Sequence, residues 1–417
     1  MKTNYKILVV VTTFPSVTET FVLNQITDLI DKGNEITVFA YVKPKNQPVH
    51  QIFTDYNLEK ITVTHFKNAG SKLKIIKAAF VFYRKYFFQI NHKKILYLLN
   101  PFELANNLKK LKVYYDLPIL LFKKKFDIVH CHFGFNGKKV ADAFELGLCG
   151  DSKAVLSFHG SDLTPTKVNH YKTIYKGVFK HFSAITINSI YLQNILTTVK
   201  PNVSNKYIIP VGFKQDYLKR HLIEKTGINT FNIVFCGRLI NWKGPDRAIK
   251  IVYEMIKKGC ENVVLHIIGN GEMLPQLKSL AEKLDIDANV VFYGAMNQDN
   301  VFKIMANGSV FLYPGIAEKD TQRSETQGLV LQEAQFFKLP VITSDVGGIK
   351  YGVIPNESGF LIDSENEEEF VERLILLYKN PDLRMEMGEK GHKFVLNEFE
   401  SKVVGEKILS VFSNIFD

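Results

Sequence analysis

Two glutamates near the C-terminal end of the sequence have the spacing and context of a ligand-binding pair. Glu325 lies in a polar loop, and Glu333 follows within a predicted amphipathic helix that begins at Gly328. A carboxylate in the loop and another about two turns into the helix can both reach a ligand at the helix N-terminus. One would contact sugar hydroxyls and the other a ribose. The alternative is a solvated loop acid and a surface helix residue.

Two cations follow a predicted strand at the start of the second half of the sequence. Arg238 and Lys243 lie five residues apart in a turn directly after the strand Asn232–Cys236. A departing nucleoside diphosphate gains negative charge, and fixed cations together with helix N–H groups stabilise that charge without a metal ion. The sequence therefore predicts a metal-free diphosphate site here. The alternative is two surface cations that flank a turn.

A histidine in the first half directly follows a predicted buried strand. His159 comes after the strand Ala154–Phe158, and the adjacent Gly160 permits close approach of the backbone. Ligands of open α/β sheets bind beyond the carboxyl ends of the strands, where His159 lies. We expect a functional role for His159, against the general rule that a lone histidine is structural. His130 and His132 are expected to shape the neighbouring loop, since a metal site needs a third ligand that the sequence does not show.

The loop between the first predicted strand and the first predicted helix carries polar residues that can contact a ligand. These are Ser16, Thr18, Glu19 and Thr20. Thr18 is also a good N-cap residue, because its hydroxyl can accept a hydrogen bond from a helix N–H group. A capped helix that needs no ligand is the alternative.

Two further motifs are weaker. Gly269-Asn270-Gly271 follows a predicted strand, where a Gly-x-Gly marks either a phosphate-binding turn or a close approach of two backbones. Asp285 and Asp287 have the Asp-x-Asp spacing of some metal sites, but they lie between a predicted helix and a predicted strand, a place typical of a solvated turn. We expect no metal ion there and no cofactor elsewhere.

Short apolar runs alternate with longer helical patterns along nearly the whole sequence, which indicates βαβ units and parallel sheets. The first unit runs from the strand Lys6–Thr12 through a helix with an apolar face to the strand Glu35–Tyr41. Two such series predict an α/β protein with two Rossmann-like, doubly wound domains that face each other across a cleft. The other predicted strands are Asp127–Cys131, Ala154–Phe158, Ala184–Asn188, Lys206–Pro210, Asn232–Cys236, Val263–Ile268, Val290–Tyr293, Val310–Tyr313 and Val341–Ser344.

The two domains meet where the first series of strands ends. Residues 1–212 are predicted to form the N-terminal domain and residues 213–395 the C-terminal domain. Residues 396–417 are predicted to form an amphipathic helix that packs back on the N-terminal domain. The length of 417 residues is sufficient for two cores of ordinary size.

The positive charge of the chain is concentrated in one segment. Residues 66–126 contain fourteen Lys or Arg against two acids, Glu103 and Asp116, so this segment accounts for the whole net charge of +11. Its cations alternate with aromatic and aliphatic residues, which suits an anionic membrane surface at about 1 kcal/mol per well-placed cation. The alternative is a set of core helices with snorkelling lysines. Nucleic acid is not an expected partner, because no recognition motif accompanies the charge.

Composition excludes several classes of protein. Hydrophobic residues make up 46% and charged residues 23% of the chain, which is typical of a folded globular protein and not of a disordered or fibrous one. The four cysteines have no Cys-x-x-Cys spacing, which indicates a reducing compartment and no structural zinc. Without a signal-peptide pattern or a membrane-spanning stretch, we expect a cytoplasmic protein, or one peripheral on the inner face of the cytoplasmic membrane.

The residues from Ser324 to Glu333 resemble the Glu-x7-Glu signature of glycosyltransferase family 4, a family of retaining enzymes with the GT-B fold. The Gly-Arg-Leu and Lys-Gly pattern around Arg238 and Lys243 is similar to the diphosphate site of that family. The resemblance covers most of the chain and is strongest from Asn232 to Asp363.

The resemblance implies transfer of a sugar from a nucleoside diphosphate sugar, UDP- or GDP-hexose, to a hydroxyl of a glycan or lipid-linked glycan. It also implies retention of the anomeric configuration, an acceptor role for the N-terminal domain and a donor role for the C-terminal domain. The residue roles that it implies are His159 and Glu325 as catalytic residues, Arg238, Lys243, Gly328 and Leu329 for the donor diphosphate, and Glu333 for the ribose.

Two departures from the family pattern limit the detail of this expectation. Many relatives carry a Gly-Gly turn after the first strand, whereas the loop from Thr12 to Phe21 resembles the Ser-Glu-Thr-Phe subgroup of enzymes that build bacterial exopolysaccharide and lipopolysaccharide repeat units. Relatives commonly have an acid three positions after the second glycine of Gly347-Gly348, where this chain has Tyr351.

Two other functions stay open. A sugar-nucleotide 2-epimerase shares the fold, but it would act on the nucleotide sugar alone and would not use the Glu-x7-Glu arrangement. A non-catalytic subunit that binds glycan or another enzyme would not need Arg238, Lys243, Glu325 and Glu333.

Overall fold

The structure is a computed structural model that describes residues 4–16, 19–44, 50–66, 72–98, 104–223 and 230–417. The N-terminal part contains a seven-stranded parallel sheet in the order β3-β2-β1-β4-β5-β6-β7. Its strands are β1 (Lys6–Thr13), β2 (Glu35–Val42), β3 (Thr62–Thr64), β4 (Ile128–His132), β5 (Lys153–Phe158), β6 (Ala184–Ile187) and β7 (Lys206–Ile208). Its helices are α1 (Thr20–Asp31), α2 (Gln51–Asp55), α3 (Lys72–Lys85), α4 (His92–Leu98), α5 (Leu104–Asp116), α6 (Gly134–Glu145), α7 (Val168–Ile174), α8 (Lys176–His181) and α9 (Ile190–Val199).

The C-terminal part contains a six-stranded parallel sheet in the order β10-β9-β8-β11-β12-β13. Its strands are β8 (Phe231–Cys236), β9 (Val263–Ile268), β10 (Val290–Gly294), β11 (Val310–Tyr313), β12 (Val341–Ser344) and β13 (Gly359–Ile362). The remaining helices are α10 (Gln215–Leu218), α11 (Pro245–Lys257), α12 (Leu274–Lys283), α13 (Gln298–Ala306), α14 (Leu329–Phe336), α15 (Glu367–Lys379), α16 (Pro381–Glu398) and α17 (Ser401–Asn414).

The central strands are apolar because helices cover both faces of each sheet. In β1 the five residues from Ile7 to Val11 are all buried, and β4 is buried throughout. A parallel sheet that is covered on both faces requires such continuous apolar runs. Two Rossmann-like parallel sheets are confirmed, and every strand predicted from the sequence is present with ends shifted by at most two residues.

Two edge strands were not predicted. β3 has only three residues, two of them threonines, and β13 begins with a glycine and is four residues long. Each pairs with a single neighbour, β2 or β12. Short strands of this kind carry too little apolar periodicity to be distinguished from a loop in the sequence.

The last helix leaves the C-terminal part and packs on the N-terminal sheet. Ile408, Val411 and Phe412 of α17 belong to one buried cluster with Val9 and Leu23. The chain passes from the N-terminal part to the C-terminal part near Phe213 and returns near Phe399. At these two crossings the Phe213 N–H donates to the Phe399 carbonyl over 3.1 Å. The predicted boundary between 212 and 213 lies at the first of these crossings and stays a prediction.

The basic segment has one buried and one exposed apolar surface. Phe82, Tyr86 and Tyr114 are buried in the N-terminal core, whereas Phe88 is 88% exposed. Part of the segment therefore packs as core helices, while another part presents apolar rings to solvent. Lys67 and Glu103 lie outside the described residues. Among the helices that the structure describes, none is long and apolar enough to cross a bilayer.

Candidate functional site

A cleft of about 370 Å³ lies where the C-terminal strand ends of the two sheets face each other. Residues after β1, β4, β5 and β6 form one wall, and residues after β8 and β11 form the other. Of the predicted site residues, the cleft brings together Glu19, His159, Arg238, Lys243 and Glu325.

Lys243 and Glu325 are in direct contact at the centre of the C-terminal wall. Lys243 Nζ forms a hydrogen-bonded ion pair with Glu325 Oε2, and the Tyr313 hydroxyl donates to the same oxygen over 3.2 Å. Nζ also lies 4.4 Å above the Trp242 ring. Burial, and then the nearby Arg238 guanidinium, lower the pKa of Lys243 to about 7. A ligand that binds here meets a cation and an acid already oriented by aromatic side chains.

Gly347 and Gly348 hold the loop that carries Glu325. Gly348 N donates to the Glu325 carbonyl over 2.7 Å. A side chain at Gly348 would lie 1.8 Å from the Thr326 carbonyl oxygen, and Gly347 has a φ of +57°. The two glycines are therefore required for close packing of this loop. This requirement does not depend on the acid that relatives carry three positions after Gly348 and that this chain replaces by Tyr351.

The Gly-x-Gly motif is a steric feature of the same wall. A Cβ atom at Gly269 would lie 1.9 Å from the Gly237 carbonyl oxygen, and one at Gly271 would lie 2.3 Å from that of Leu239. The turn after β9 thus packs directly against the turn that presents Arg238. The close approach of two backbones is therefore present at this motif, and a phosphate-binding role for the turn stays a prediction.

His159 occupies the opposite wall in a fully constrained position. Its Nε2 lies 3.0 Å from Nδ1 of His132, and the Phe21 and Phe133 rings contact it at 4.6 and 4.9 Å between centroids. Burial, and then the nearby His130, lower the pKa of His159 to about 3, so the imidazole is neutral at physiological pH. His132 thus contacts the ring of His159 and helps to fix its orientation, whereas its predicted role in shaping the neighbouring loop stays a prediction.

Asp162 is a site residue that the sequence reasoning missed. It is fully buried, and its carboxylate accepts hydrogen bonds from the backbone N–H groups of Gly134 (2.7 Å), His159 (3.1 Å) and Gly160 (3.0 Å). Burial raises the pKa of this carboxyl, against the opposing effect of the backbone donors. The sequence signal for a turn held in this way is an Asp three residues after a histidine that follows a strand.

Thr326, the residue after Glu325, joins the two walls. Its hydroxyl donates to the His159 carbonyl over 3.1 Å and accepts from Asn188 Nδ2 over 3.1 Å. A Cβ atom at Gly160, where φ is +106°, would lie 2.2 Å from Thr326 Cγ2. The glycine after His159 is therefore needed for contact between the two halves of the molecule.

Glu333 lies in a neighbouring narrow cavity of about 20 Å³, together with Thr20, Asn24 and Gln298. Burial raises the pKa of Glu333 to about 8, so its carboxyl carries a proton at neutral pH in the ligand-free protein. Gly328 and Leu329 lie at the start of α14, in the chain between Glu325 and Glu333. Gly328 adopts φ +76° at the start of α14, and a Cβ atom there would lie 3.2 Å from Glu325 Cγ.

Arg323 is a third cation of the cleft and was not predicted. It precedes Glu325 by two residues in a loop with no regular pattern, so the sequence offered no periodic signal for it. Arg238 is exposed at the rim of the same wall. All three cations that line the cleft within the described residues, Arg238, Lys243 and Arg323, come from the C-terminal half.

The loop after β1 contributes unevenly to the site. Glu19 lines the cleft and Thr20 the Glu333 cavity, while Ser16 is half-buried nearby. Thr18 lies outside the described residues. Burial raises the pKa of Glu19 to about 7.

The described residues contain no group of three His, Cys, Asp or Glu side chains that could hold a metal ion. Asp285 has a φ of +57° and lies with Asp287 in the short turn that leads to β10. This is the turn that the sequence predicted for the Asp-x-Asp motif.

Residues 219–394 match the sequence profile of the family described as Glycosyl transferases group 1. The chain is 24% identical over 404 residues to a putative colanic acid biosynthesis glycosyltransferase of Escherichia coli, WcaL, which covers 95% of this chain and 97% of that protein. It is 26% identical over 372 residues to the amylovoran biosynthesis glycosyltransferase AmsK of Erwinia amylovora, which covers 84% of each chain.

Solved structures show the same fold. The Anabaena protein HepE, crystallised in complex with UDP, superposes with a TM-score of 0.71 at 15% identity, over 98% of this chain and 100% of that one. A glycosyltransferase from Rickettsia africae superposes with a TM-score of 0.71 at 16% identity over the whole of both chains. With two facing Rossmann-like sheets and the profile match across the second of them, the chain is a glycosyltransferase of the GT-B fold whose C-terminal domain is a group 1 glycosyl transferase domain.

Proposed function

We propose that this enzyme transfers a hexose from a nucleoside diphosphate sugar, UDP- or GDP-linked, to a hydroxyl of a glycan or lipid-linked glycan with retention of the anomeric configuration. The observation that carries the proposal is the paired Lys243 and Glu325, which face the neutral His159 across one cleft. A diphosphate sugar offers groups that match both walls, because its phosphates need cations and its hydroxyls need hydrogen-bonding side chains.

The donor would lie along the C-terminal wall. Arg238 and Lys243 bind its diphosphate next to the start of α14 at Gly328 and Leu329, while Glu333 binds the ribose hydroxyls. Glu325 binds hydroxyls of the donor sugar, and the diphosphate replaces it as the partner of Lys243. A protonated Glu333 can donate as well as accept a hydrogen bond, and a ribose hydroxyl takes either role.

Transfer would proceed on one face of the donor sugar. The bond from the anomeric carbon to the diphosphate oxygen breaks with its electron pair on the diphosphate, and the acceptor hydroxyl oxygen bonds to the same face of that carbon. The proton of the hydroxyl passes to the leaving diphosphate. His159 supports the reacting sugar from the N-terminal wall, and closure of the walls excludes water as a competing acceptor.

The charge on the leaving group would be balanced by protein cations and not by a metal. Arg238, Lys243 and Arg323 supply fixed positive charge on the wall that the diphosphate occupies. Fixed charges in a partly buried site stabilise the departing diphosphate without reorganisation of solvent. We therefore propose that activity does not require a divalent cation.

The biological role that we propose is synthesis of a bacterial surface polysaccharide. The relatives WcaL and AmsK are named for colanic acid and amylovoran biosynthesis, and HepE was crystallised with UDP. These names support a nucleotide-sugar donor and a growing glycan as acceptor for this chain.

A donor panel tests the proposal. The pure protein is incubated with UDP-, GDP- and ADP-sugars with EDTA present, and release of free nucleotide and of sugar is measured. We expect slow hydrolysis of one donor class, with retention visible in the anomer first released. Conversion of a UDP-sugar to its 2-epimer would support the epimerase instead. Absence of both turnover and nucleotide binding would support a non-catalytic subunit, and either outcome overturns the proposal.

We also propose that the exposed surface of α3, α4 and α5 binds an anionic membrane, which would bring the enzyme to a lipid-linked acceptor. The surface is continuous, since the Phe87 ring, two residues after α3, lies 4.5 Å from His92 of α4, and Lys110 of α5 lies 4.7 Å above the Tyr97 ring of α4. Its exposed apolar side chains include Phe80 (65%), Phe88 (88%), Leu96 (67%) and Leu108 (60%).

Charge decides which partner suits this surface. The described parts of α3 to α5 hold a single acid, Asp116, among many lysines. Apolar rings that insert between lipid headgroups, together with cations that attract them, suit a bilayer with anionic lipid.

Liposome flotation tests the membrane proposal. We expect the protein to float with vesicles of phosphatidylglycerol and phosphatidylethanolamine but not with phosphatidylcholine alone. Phe88→Ser should reduce flotation several-fold. Met385→Ser, which removes a side chain that is 61% exposed on the C-terminal half, should not. Equal binding to both vesicle types, or equal loss in both variants, would contradict the proposal.

A further inference from the structure

The N-terminal wall of the cleft differs in chemistry from the wall that the diphosphate would occupy. Its lining residues carry no lysine or arginine within the described part of the chain, and its one acid is Glu19. The adjacent His159 is neutral, because burial lowers its pKa to about 3. This wall is therefore unsuited to a phosphate or a carboxylate.

Glu19 has no structural task among the described residues. It precedes α1 at the N-cap position, but its side chain makes no capping hydrogen bond. No hydrogen bond or ion pair joins its carboxylate to another described side chain, although the residue is half-buried. A half-buried carboxylate that faces a cleft without a partner requires a hydrogen-bond donor from elsewhere.

Phe133 lines the same cleft as Glu19 and contacts His159, and it has a backbone conformation that bulky residues rarely adopt. Its φ is +70°, and this geometry is fixed because its N–H donates to the Ser157 carbonyl over 2.9 Å. Left-handed φ values cost a non-glycine residue about 1–2 kcal/mol. The strain places the Phe133 ring in the cleft, where it and Phe21 form an aromatic surface.

We propose, on the basis of the proposed function, that Glu19 and Phe133 form the acceptor subsite and that it takes an uncharged sugar. Glu19 accepts a hydrogen bond from the attacking hydroxyl, while the apolar face of the sugar ring packs on Phe133. The carboxylate orients the oxygen that bonds to the anomeric carbon, and the proton of that hydroxyl still passes to the leaving diphosphate. A uronic acid or a sugar phosphate is excluded by the lack of a cation on this wall and, above about pH 7 where Glu19 is ionised, by repulsion from its carboxylate.

The experiment compares transfer with hydrolysis. With the nucleotide sugar that the donor panel selects, Glu19→Gln is assayed for donor hydrolysis in water and for transfer to p-nitrophenyl glucosides and galactosides. Each glycoside is matched by its uronic acid counterpart, which differs only at C6. We expect wild-type transfer to favour the neutral sugar by about 10-fold. In Glu19→Gln, which replaces a charged hydrogen-bond acceptor by a weaker neutral one, kcat/KM for transfer should fall about 10-fold, while hydrolysis and UDP affinity should change less than about twofold.

The acceptor ring has a separate variant and a matched control. Phe133→Leu should raise the acceptor KM by a larger factor than it changes hydrolysis, because its ring also contacts His159, whereas Phe135→Leu, two residues later and 52% exposed, should change neither. Equal loss of transfer and hydrolysis in Glu19→Gln would show that the residue supports the donor site or wall closure, and would overturn the proposal. Hydrolysis without transfer to any neutral glycoside would also overturn it while the donor function stands. Failure of hydrolysis in the wild type would instead contradict the proposed function.

Discussion

The two walls of the cleft differ in charge and in how their polar groups are held. The C-terminal wall carries Arg238, Lys243 and Arg323 and presents Glu325 already paired with a lysine. The N-terminal wall carries a neutral histidine, two phenyl rings and Glu19, whose carboxylate has no side-chain partner among the described residues. A wall of fixed cations suits a diphosphate, whereas a wall of aromatic rings with one acid suits a neutral sugar. On the proposed function, one fold that is used twice would bind two substrates through loop residues of opposite character.

The largest expected effect is loss of the central cation. Lys243→Ala removes the group that would bind the leaving diphosphate and leaves Glu325 without its ion-pair partner, so kcat for donor turnover should fall about 100- to 1000-fold. Steady-state assays with the selected donor measure this loss, and calorimetry with UDP measures the accompanying loss of affinity.

Lys250→Ala is the matched control for this variant. Lys250 lies on α11 in the same domain and forms an exposed ion pair with Asp246. Its removal should leave activity within about twofold, since exposed pairs contribute little. If Lys243→Ala kept a third of wild-type activity, the assignment of the diphosphate to this wall would be wrong.

A smaller effect is expected where the walls touch. Gly160→Ala places a methyl group against Thr326 Cγ2 in a left-handed backbone, so it should separate the walls and lower activity about 10-fold. Gly150→Ala, also at positive φ but with open space around the new methyl group, controls for backbone strain.

Thr326→Ser should partly restore activity in the Gly160→Ala background. It removes Cγ2, the atom in closest conflict, and keeps the hydroxyl that bonds to the His159 carbonyl. Enzyme assays and thermal melts of the four proteins form a double-mutant cycle. Additive effects would show that the contact between Gly160 and Thr326 does not set the spacing of the walls.

The smallest effect concerns stability at acidic pH. Burial lowers the pKa of His130 and of His159 to about 3, and burial with its histidine neighbours also lowers that of His132. The unfolded chain takes up these protons near pH 6.5, whereas the folded chain keeps the histidines neutral to a much lower pH. The free energy of unfolding is therefore unaffected by these histidines above about pH 6.5 and decreases as the pH falls from there toward 3. Each histidine contributes a slope of about 1.4 kcal/mol per pH unit.

Replacing one buried histidine should make this dependence shallower. His130→Asn is compared with wild type by thermal melts between pH 7.5 and 5, and the exposed His170→Asn serves as the control. On unfolding at acidic pH, His130→Asn should take up about one proton fewer than His170→Asn. Identical pH dependence in both would contradict a neutral, buried His130.

Much of the framework followed from local patterns. The mainly apolar runs of β1, β4, β8 and β9 predicted their strands, because a parallel sheet covered on both faces favours apolar residues on both sides of each strand. The edge strands β3 and β13 were not predicted, because a short strand with one neighbour carries no such run. Chemical type together with spacing also placed Glu19, His159, Arg238, Lys243 and Glu325 among the candidate residues, and the structure brings these into one cleft.

The sequence by itself determined which residues carry chemistry and that they follow strand ends, because residue type and periodicity are local properties. Only the tertiary structure decided which of them meet. Lys243 and Glu325 are 82 residues apart and in contact, and Thr326 bonds to a carbonyl 167 residues away. Glu333, eight residues after Glu325, instead lies in a separate cavity with a protonated carboxyl. Which side chains are buried, and which residues they contact, depend on how the two sheets pack. No local sequence pattern encodes contacts between residues so far apart in the chain.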